Sequence, residues 1–177
     1  NPIKELDYNT NNRQSLRATG SFYSQLDFGN MWKPLDGLSY RIQFGPEFKY
    51  YRLGVFNAAE GINGDGNNAA KYNTNNTRAY TLDNLLYYNK TFSNLHKVGL
   101  TAMQSFSKYH YENGDMKATD VASTSELWYN LASGGDAYSL GTGLSEKQME
   151  SYMLRGNYTY NDKYMLTASM RWDGASQ

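Results

Sequence analysis

The sequence contains no cysteine, which removes disulfides and thiolate metal sites. Histidine is nearly absent as well: His96 and His110 lie far apart in the chain, and nothing in their spacing suggests a shared metal or proton. No run of about 20 apolar residues occurs, so no transmembrane helix is available. That absence leaves barrel crossing open, because strands of about 10 alternating residues carry a far weaker hydropathy signal. Neither sign of charge dominates. The 17 basic and 17 acidic residues cancel, which disfavours nucleic acid or another polyanion as a partner. Motifs for catalysis and cofactor binding are lacking too. There is no Gly-x-Ser-x-Gly, and no Gly-Lys-Ser/Thr follows the glycines of GINGDG (61–66). NGDGNN (63–68) lacks the spaced acidic ligands and the distal glutamate of a calcium loop. The chain is therefore expected not to be an enzyme and to hold no cofactor and no metal. It opens on Asn1 without a signal peptide, so it is expected to be an internal stretch of a longer protein.

What the chain does have is 17 tyrosines, 16 glycines and a sustained period of two. In 16–28 the even positions hold Leu16, Ala18, Phe22, Leu26 and Phe28, and the odd positions hold Arg17, Thr19, Gln25 and Asp27. In 38–50 the even set is Leu38, Tyr40, Ile42, Phe44, Pro46, Phe48 and Tyr50, against Arg41, Gln43, Glu47 and Lys49. Segments 80–92, 98–108, 148–160 and 164–173 follow the same rule, although Leu85 and Tyr87 fall on the polar side. This alternation predicts β-strands with one oily and one polar face. Across these spans the charges Arg17, Asp27, Arg41, Glu47, Lys49, Asp83, Arg155, Arg171 and Asp173 are all odd. The even exceptions, Lys90, Lys108 and Glu150, are expected near strand ends. A basic side chain on a lipid face costs about 2–4 kcal/mol at mid-membrane and about 0–1 kcal/mol near the interface.

Short and long connections alternate. GNMWKPLDG, SNLHK and NDK are short, whereas the pieces from Arg52 to Ala79 and from Tyr109 to Lys147 are long. Outer-membrane barrels have short periplasmic turns and longer extracellular loops. The predicted fold is all-β, a fragment of about six antiparallel strands of a large transmembrane barrel, with residues 1 to about 15 ending an earlier outer loop. Aromatics gather near both sets of strand ends, including Trp32, Tyr40, Tyr158, Tyr160 and Tyr164 at the short turns and Tyr50, Tyr80 and Trp172 at the long loops. Two interfacial belts would have this distribution. Residues 119–132, with Thr119 or Asp120 as a cap, are expected to form a short surface helix. The loops also carry flat rings and amides: Tyr72, Asn73, Asn75, Trp128, Tyr129 and Asn130 are the candidate ligand-binding residues, suited to stacking on sugars and hydrogen-bonding their hydroxyls.

The closing hairpin carries more than pattern. In LRGNYTYNDKYMLTASMRWDGASQ (154–177), the residues Arg155, Asn157, Tyr158, Tyr160, Asp162, Lys163, Tyr164, Leu166, Ser169, Arg171, Asp173, Gly174 and Ser176 match a run typical of one family. Ala175 departs from it, standing where a serine is usual. DGLSYR (36–41) and YTLDNLLYYNKTF (80–92) are weaker echoes. The chain thereby resembles the SusC/RagA family of TonB-dependent outer-membrane transporters of Bacteroidetes. The resemblance implies that residues 1–177 are part of a 22-stranded barrel whose plug domain and remaining strands lie outside this chain. It also implies a SusD-like surface lipoprotein as lid, a TonB–ExbB–ExbD complex as motor, and a place among outer-membrane lipids. The expected activity is import of oligosaccharides, starch-derived maltooligosaccharides foremost. Arg17, Arg41, Arg155 and Arg171 offer themselves as ion-pair partners for a plug. Two other readings stay open: a RagA-like peptide importer, and a non-catalytic secreted β-sheet protein that binds carbohydrate.

Overall fold

The computed structural model describes residues 8–64, 66–122, 124–135 and 138–176. Among these the regular elements are strands and three short 3-10 turns. The strands are β1 (Asn9–Thr19), β2 (Phe22–Asp27), β3 (Leu38–Asn57), β4 (Ala69–Phe92), β5 (His96–Thr119), β6 (Tyr138–Tyr160) and β7 (Tyr164–Ser176). They form a seven-stranded sheet in the order β1-β3-β4-β5-β6-β7, with β2 also pairing β3. The expected all-β, antiparallel organisation is present.

The first expected strand, 16–28, is broken into β1 and β2 at Gly20 and Ser21. Proline explains the break. Phe22 pairs Phe44 in an antiparallel register that sets Gly20 against Pro46. Pro46 accepts a hydrogen bond from the Gly20 N–H at 3.0 Å but has no N–H to return, so the ladder is interrupted there. The short connections after β4 and β6 are tight turns. Ser93 and Asn94 both have positive φ (50° and 54°), as do Asn161 and Asp162 (49° and 52°). The Leu95 N–H donates to Phe92 O and the Lys163 N–H to Tyr160 O. Two consecutive positive-φ residues make the turn whose twist suits a hairpin, and Asn and Asp tolerate that conformation.

Two corrections concern length. Residues 9–15 belong to β1 rather than to an outer loop. β3, β4 and β5 run for 20, 24 and 24 residues, so the long connections shrink to 58–68 and 120–137. Lys108 and Glu150 consequently lie in strand interiors, not near strand ends. A third correction is the expected helix over 119–132. Among its described residues that stretch contains no α-helix; Thr119 ends β5, and a 3-10 turn covers Leu131–Ser133.

The chain divides into two compact units. The first comprises 1–18, 48–78 and 110–145; the second comprises 19–47, 79–109 and 146–177. The first contains the buried core: Phe56, Ala58, Ala70, Ala118, Val121 and Trp128, flanked by Tyr8, Tyr72, Leu127 and Leu131. The second has little interior. Its even-numbered strand residues stand in the open, among them Phe22, Ile42, Phe44, Leu86, Leu100, Leu154, Leu166, Met170 and Trp172. Several of its odd-numbered residues bond to one another, most of them across strands. Arg41 donates to Gln25 Oε1 at 2.7 and 3.0 Å, and its guanidinium lies over the rings of Tyr23 and Tyr87. Ser105 donates to Asp83, Thr167 to Asn157, and Arg171 to Asp173 and to the fully buried Ser151. Tyr87, which broke the alternation in the sequence, is accounted for by its place beside Arg41.

Candidate functional site

The first unit gathers aromatic side chains by folding a connection back on its sheet. The strap 120–135 leaves β5 at Asp120, which has φ +58°, and reverses again at Leu127, φ +53°. The second reversal sets Trp128 down on the backbone of Gly54. A Cβ at position 54 would sit 2.2 Å from Trp128 Cε2, so only glycine admits the indole. Trp128 is 5% exposed, but its Nε1 is buried without a hydrogen-bond partner. The strap is also tied by amides. Asn68 Oδ1 accepts from the Ala59 N–H at 2.9 Å, and Asn68 Nδ2 donates to the Val121 carbonyl at 3.0 Å. One side chain therefore joins the connection 58–68 to the strap.

A pocket of about 320 Å³ opens beside Trp128, lined by Tyr72, Met116, Trp128, Tyr129 and Leu131. The Tyr129 ring stands 5.5 Å from that of Trp128 and is 68% exposed. Asn130, next to Tyr129 in the chain, donates from its amide to Glu126 Oε2 at 2.7 Å. Burial raises the Tyr72 phenol above its ordinary pKa; Tyr50 adds to the rise and Arg52 opposes it. Tyr72 is thus a neutral hydroxyl at ordinary pH. The arrangement can pack a ring-shaped, partly apolar ligand against Tyr129 and offer it the Tyr72 hydroxyl.

The six expected ligand-binding residues do not form one site. Tyr72, Trp128 and Tyr129 line one pocket; Asn130 is not among its lining residues and bonds to Glu126. Asn73 and Asn75 are odd-numbered residues of β4 and face away from Tyr72. They share their face with Lys71, which pairs with Asp115 at 3.5 Å. Trp128 belongs to the core more than to a binding surface. Gly54, Met116 and Leu131 were not singled out in the sequence, although the even numbering shared by Gly54, Tyr72 and Met116 is a signal that could have grouped them. Two of the arginines proposed for a plug, Arg41 and Arg171, are bonded within the sheet. Among the described residues no cluster of metal-ligating side chains occurs.

An antiparallel sheet with one exposed, mainly apolar face and one polar, cross-bonded face has the pattern of a membrane β-barrel wall; the polar contacts on the apolar face, Gln104 and Tyr152 with Glu150 and Tyr40 with Asn84, are few. Comparison with known proteins gives that pattern a class. No protein-family model matches the chain. Over 178 aligned positions, covering all of this chain, it is 26% identical to TonB-dependent receptor P39 of Formosa agariphila. It is 28% identical over 99% of its length to TonB-dependent receptor P26 of the same organism. Among solved structures, the RagAB peptide transporter superposes on 96% of the chain with a TM-score of 0.83 at 14% identity. The RagAB peptide importer in its open-open state superposes on 97% with a TM-score of 0.73. The chain covers 17–18% of the length of these curated relatives. The expected likeness to a segment of a TonB-dependent receptor is borne out in sequence over the whole chain, and the fold is that of a segment of RagAB. These relatives are receptors and a transporter rather than enzymes, in keeping with a non-catalytic role.

Proposed function

We propose that this chain is part of the barrel wall of a TonB-dependent outer-membrane importer of oligosaccharides, with maltooligosaccharides the first cargo to test. The observation that supports it best is the asymmetry of the second unit's sheet. Its even face exposes mainly apolar side chains, with polar contacts at Gln104, Glu150 and Tyr152 and at Tyr40 and Asn84, and its odd face is held by polar contacts. Lipid against the first face and an aqueous lumen against the second account for both. Lys108 and Glu150, although in strand interiors, fit this frame. They stand about ten residues above the short turns, which is about one membrane crossing. The barrel is closed by further strands to a total of about 22 and holds a plug. TonB–ExbB–ExbD displaces the plug, and a SusD-like lipoprotein covers the outer connections. The exposed Tyr129 ring beside Trp128 offers a platform against which the C–H face of a sugar ring can pack.

The cargo reading is tested by uptake in cells that depend on the intact receptor. Growth on maltooligosaccharides should require it and should fall with Tyr129→Ala. Normal growth on the sugar in its absence, with loss of growth on peptides, would assign the cargo to the peptide class that RagAB is named for.

A further inference from the structure

The bare face of the second unit is not uniform. A groove of about 570 Å³ runs across it, lined by Leu86, Leu100, Leu154, Gly156, Ala168 and Met170 with almost no polar surface. Gly156 pairs Ala168 directly across β6 and β7, so two small residues meet and form the floor. The Leu100 side chain leans over that floor, its Cδ2 3.6 Å from where a Cβ on Gly156 would stand.

On the short-turn side of the groove lies a polar and aromatic cluster. Gly156, Tyr158 and Tyr160 alternate along one face of β6, opposite Ala168, Leu166 and Tyr164 of β7. His96 Nδ1 is hydrogen-bonded to the Tyr158 hydroxyl at 2.7 Å, and its ring lies 5.1 Å from that of Tyr160. On β4, Leu86, Tyr88 and Lys90 follow the same alternation, which brings a cation to the same end. From Met170 to Tyr164 the strand covers about 20 Å at about 3.3 Å per residue. Tilted by about 45°, that is about 14 Å along the membrane normal, close to half of a hydrocarbon core of about 30 Å.

We infer that this groove is a binding site for one membrane phospholipid, resting on the membrane-spanning reading above. One acyl chain lies over Gly156 and Ala168. The phosphate sits among Lys90, His96 and the tyrosines, where an anion meets a cation and hydroxyl donors. The groove is apolar, it lies within about 20 Å of strand from the short turn, and Lys90 and His96 lie on the turn side of it. That shape and charge order match a phospholipid of the leaflet on the short-turn side.

The test uses the intact receptor in vesicles of phosphatidylethanolamine doped with phosphatidylethanolamine carrying a diazirine on one acyl chain. After illumination, labelled peptides are mapped by mass spectrometry. Labelling of Leu86, Leu100, Leu154 and Met170 should exceed that of Phe44 and Trp172, two exposed residues of the same face, several-fold. Gly156→Leu, or the milder Ala168→Val should the first not insert, should erase the excess. Lys90→Ala with His96→Ala should weaken labelling by the phospholipid probe but not by diazirine-diacylglycerol, which lacks the phosphate. Equal labelling of groove and control residues in the unaltered receptor would overturn the site and leave the membrane reading standing. No lipid label anywhere on the even face would overturn both. Protein–protein crosslinks in place of lipid would assign the groove to a partner chain and also overturn it.

Discussion

The two units solve opposite problems with the same alternating strands. In the first, the sheet is partly covered by the chain's own strap, and the covered patch holds the buried hydrophobic residues, Phe56, Ala70, Ala118, Val121 and Trp128. In the second, comparable apolar residues stand bare, with Leu154 at 54% and Leu166 at 68% exposure. The difference teaches where each part gets its stability. Water must be kept from the first unit's apolar patch by protein, at the entropic cost of ordering a connection. The second unit needs no cover if lipid supplies it.

Substitutions sharpen that contrast. The largest effect is expected from Trp128→Ala, which removes the strap's anchor and leaves a slot over Gly54. A loss of about 3–5 kcal/mol in strap docking is expected, read as faster hydrogen exchange of the 120–133 amides in the intact protein. Trp128→Phe should cost far less, because it keeps a ring in place and removes the unpartnered indole N–H. If both variants behave alike, burial of the ring is not what holds the strap. Next comes Leu100→Arg, expected to cost about 2–4 kcal/mol of membrane folding stability, measured by denaturant titration of the receptor in vesicles. Thr101→Arg, its neighbour on the opposite face, should cost about 0.5 kcal/mol or less. Equal costs would remove the distinction between the faces. Asn68→Ala strands the Ala59 N–H and the Val121 carbonyl and should destabilise the strap by about 1–3 kcal/mol, again visible by exchange. The smallest effect belongs to Tyr129→Ala. Stability should move by no more than about 0.5 kcal/mol, while uptake falls.

Period two made most of the second unit legible. The even set Ile42, Phe44, Leu100 and Leu166 predicted which face would be bare, and NDK and SNLHK predicted tight turns. The break at Gly20 was also readable from Pro46, once its partner across the ladder was known, but pairing is not a property of one segment. The upper parts of β3 to β6 were harder. AAKYNTNNTRA (69–79) is rich in asparagine, which intrinsically disfavours strands, yet it is strand throughout; pairing with both neighbours overrides local preference. The expected helix over 119–132 failed for a related reason. Its apolar spacing served Val121 and Trp128 in reaching the sheet separately, and no sequence rule announces that Gly54 is the place where an indole lands. Asn73 and Asn75 were grouped with Tyr72 because all three were read as loop; as strand residues they divide by parity.

The central claim is that even residues meet lipid and odd residues meet water. It is tested most directly by spin-labelling single cysteines placed at successive positions from 164 to 173 in the intact receptor, made otherwise free of cysteine and reconstituted in vesicles; this chain has no native cysteine to interfere. The account predicts collision with oxygen, which partitions into lipid, at Leu166, Ala168, Met170 and Trp172. It predicts collision with a water-soluble nickel chelate at Met165, Thr167, Ser169 and Arg171. Nickel accessibility at the even positions, or no alternation at all, would contradict it.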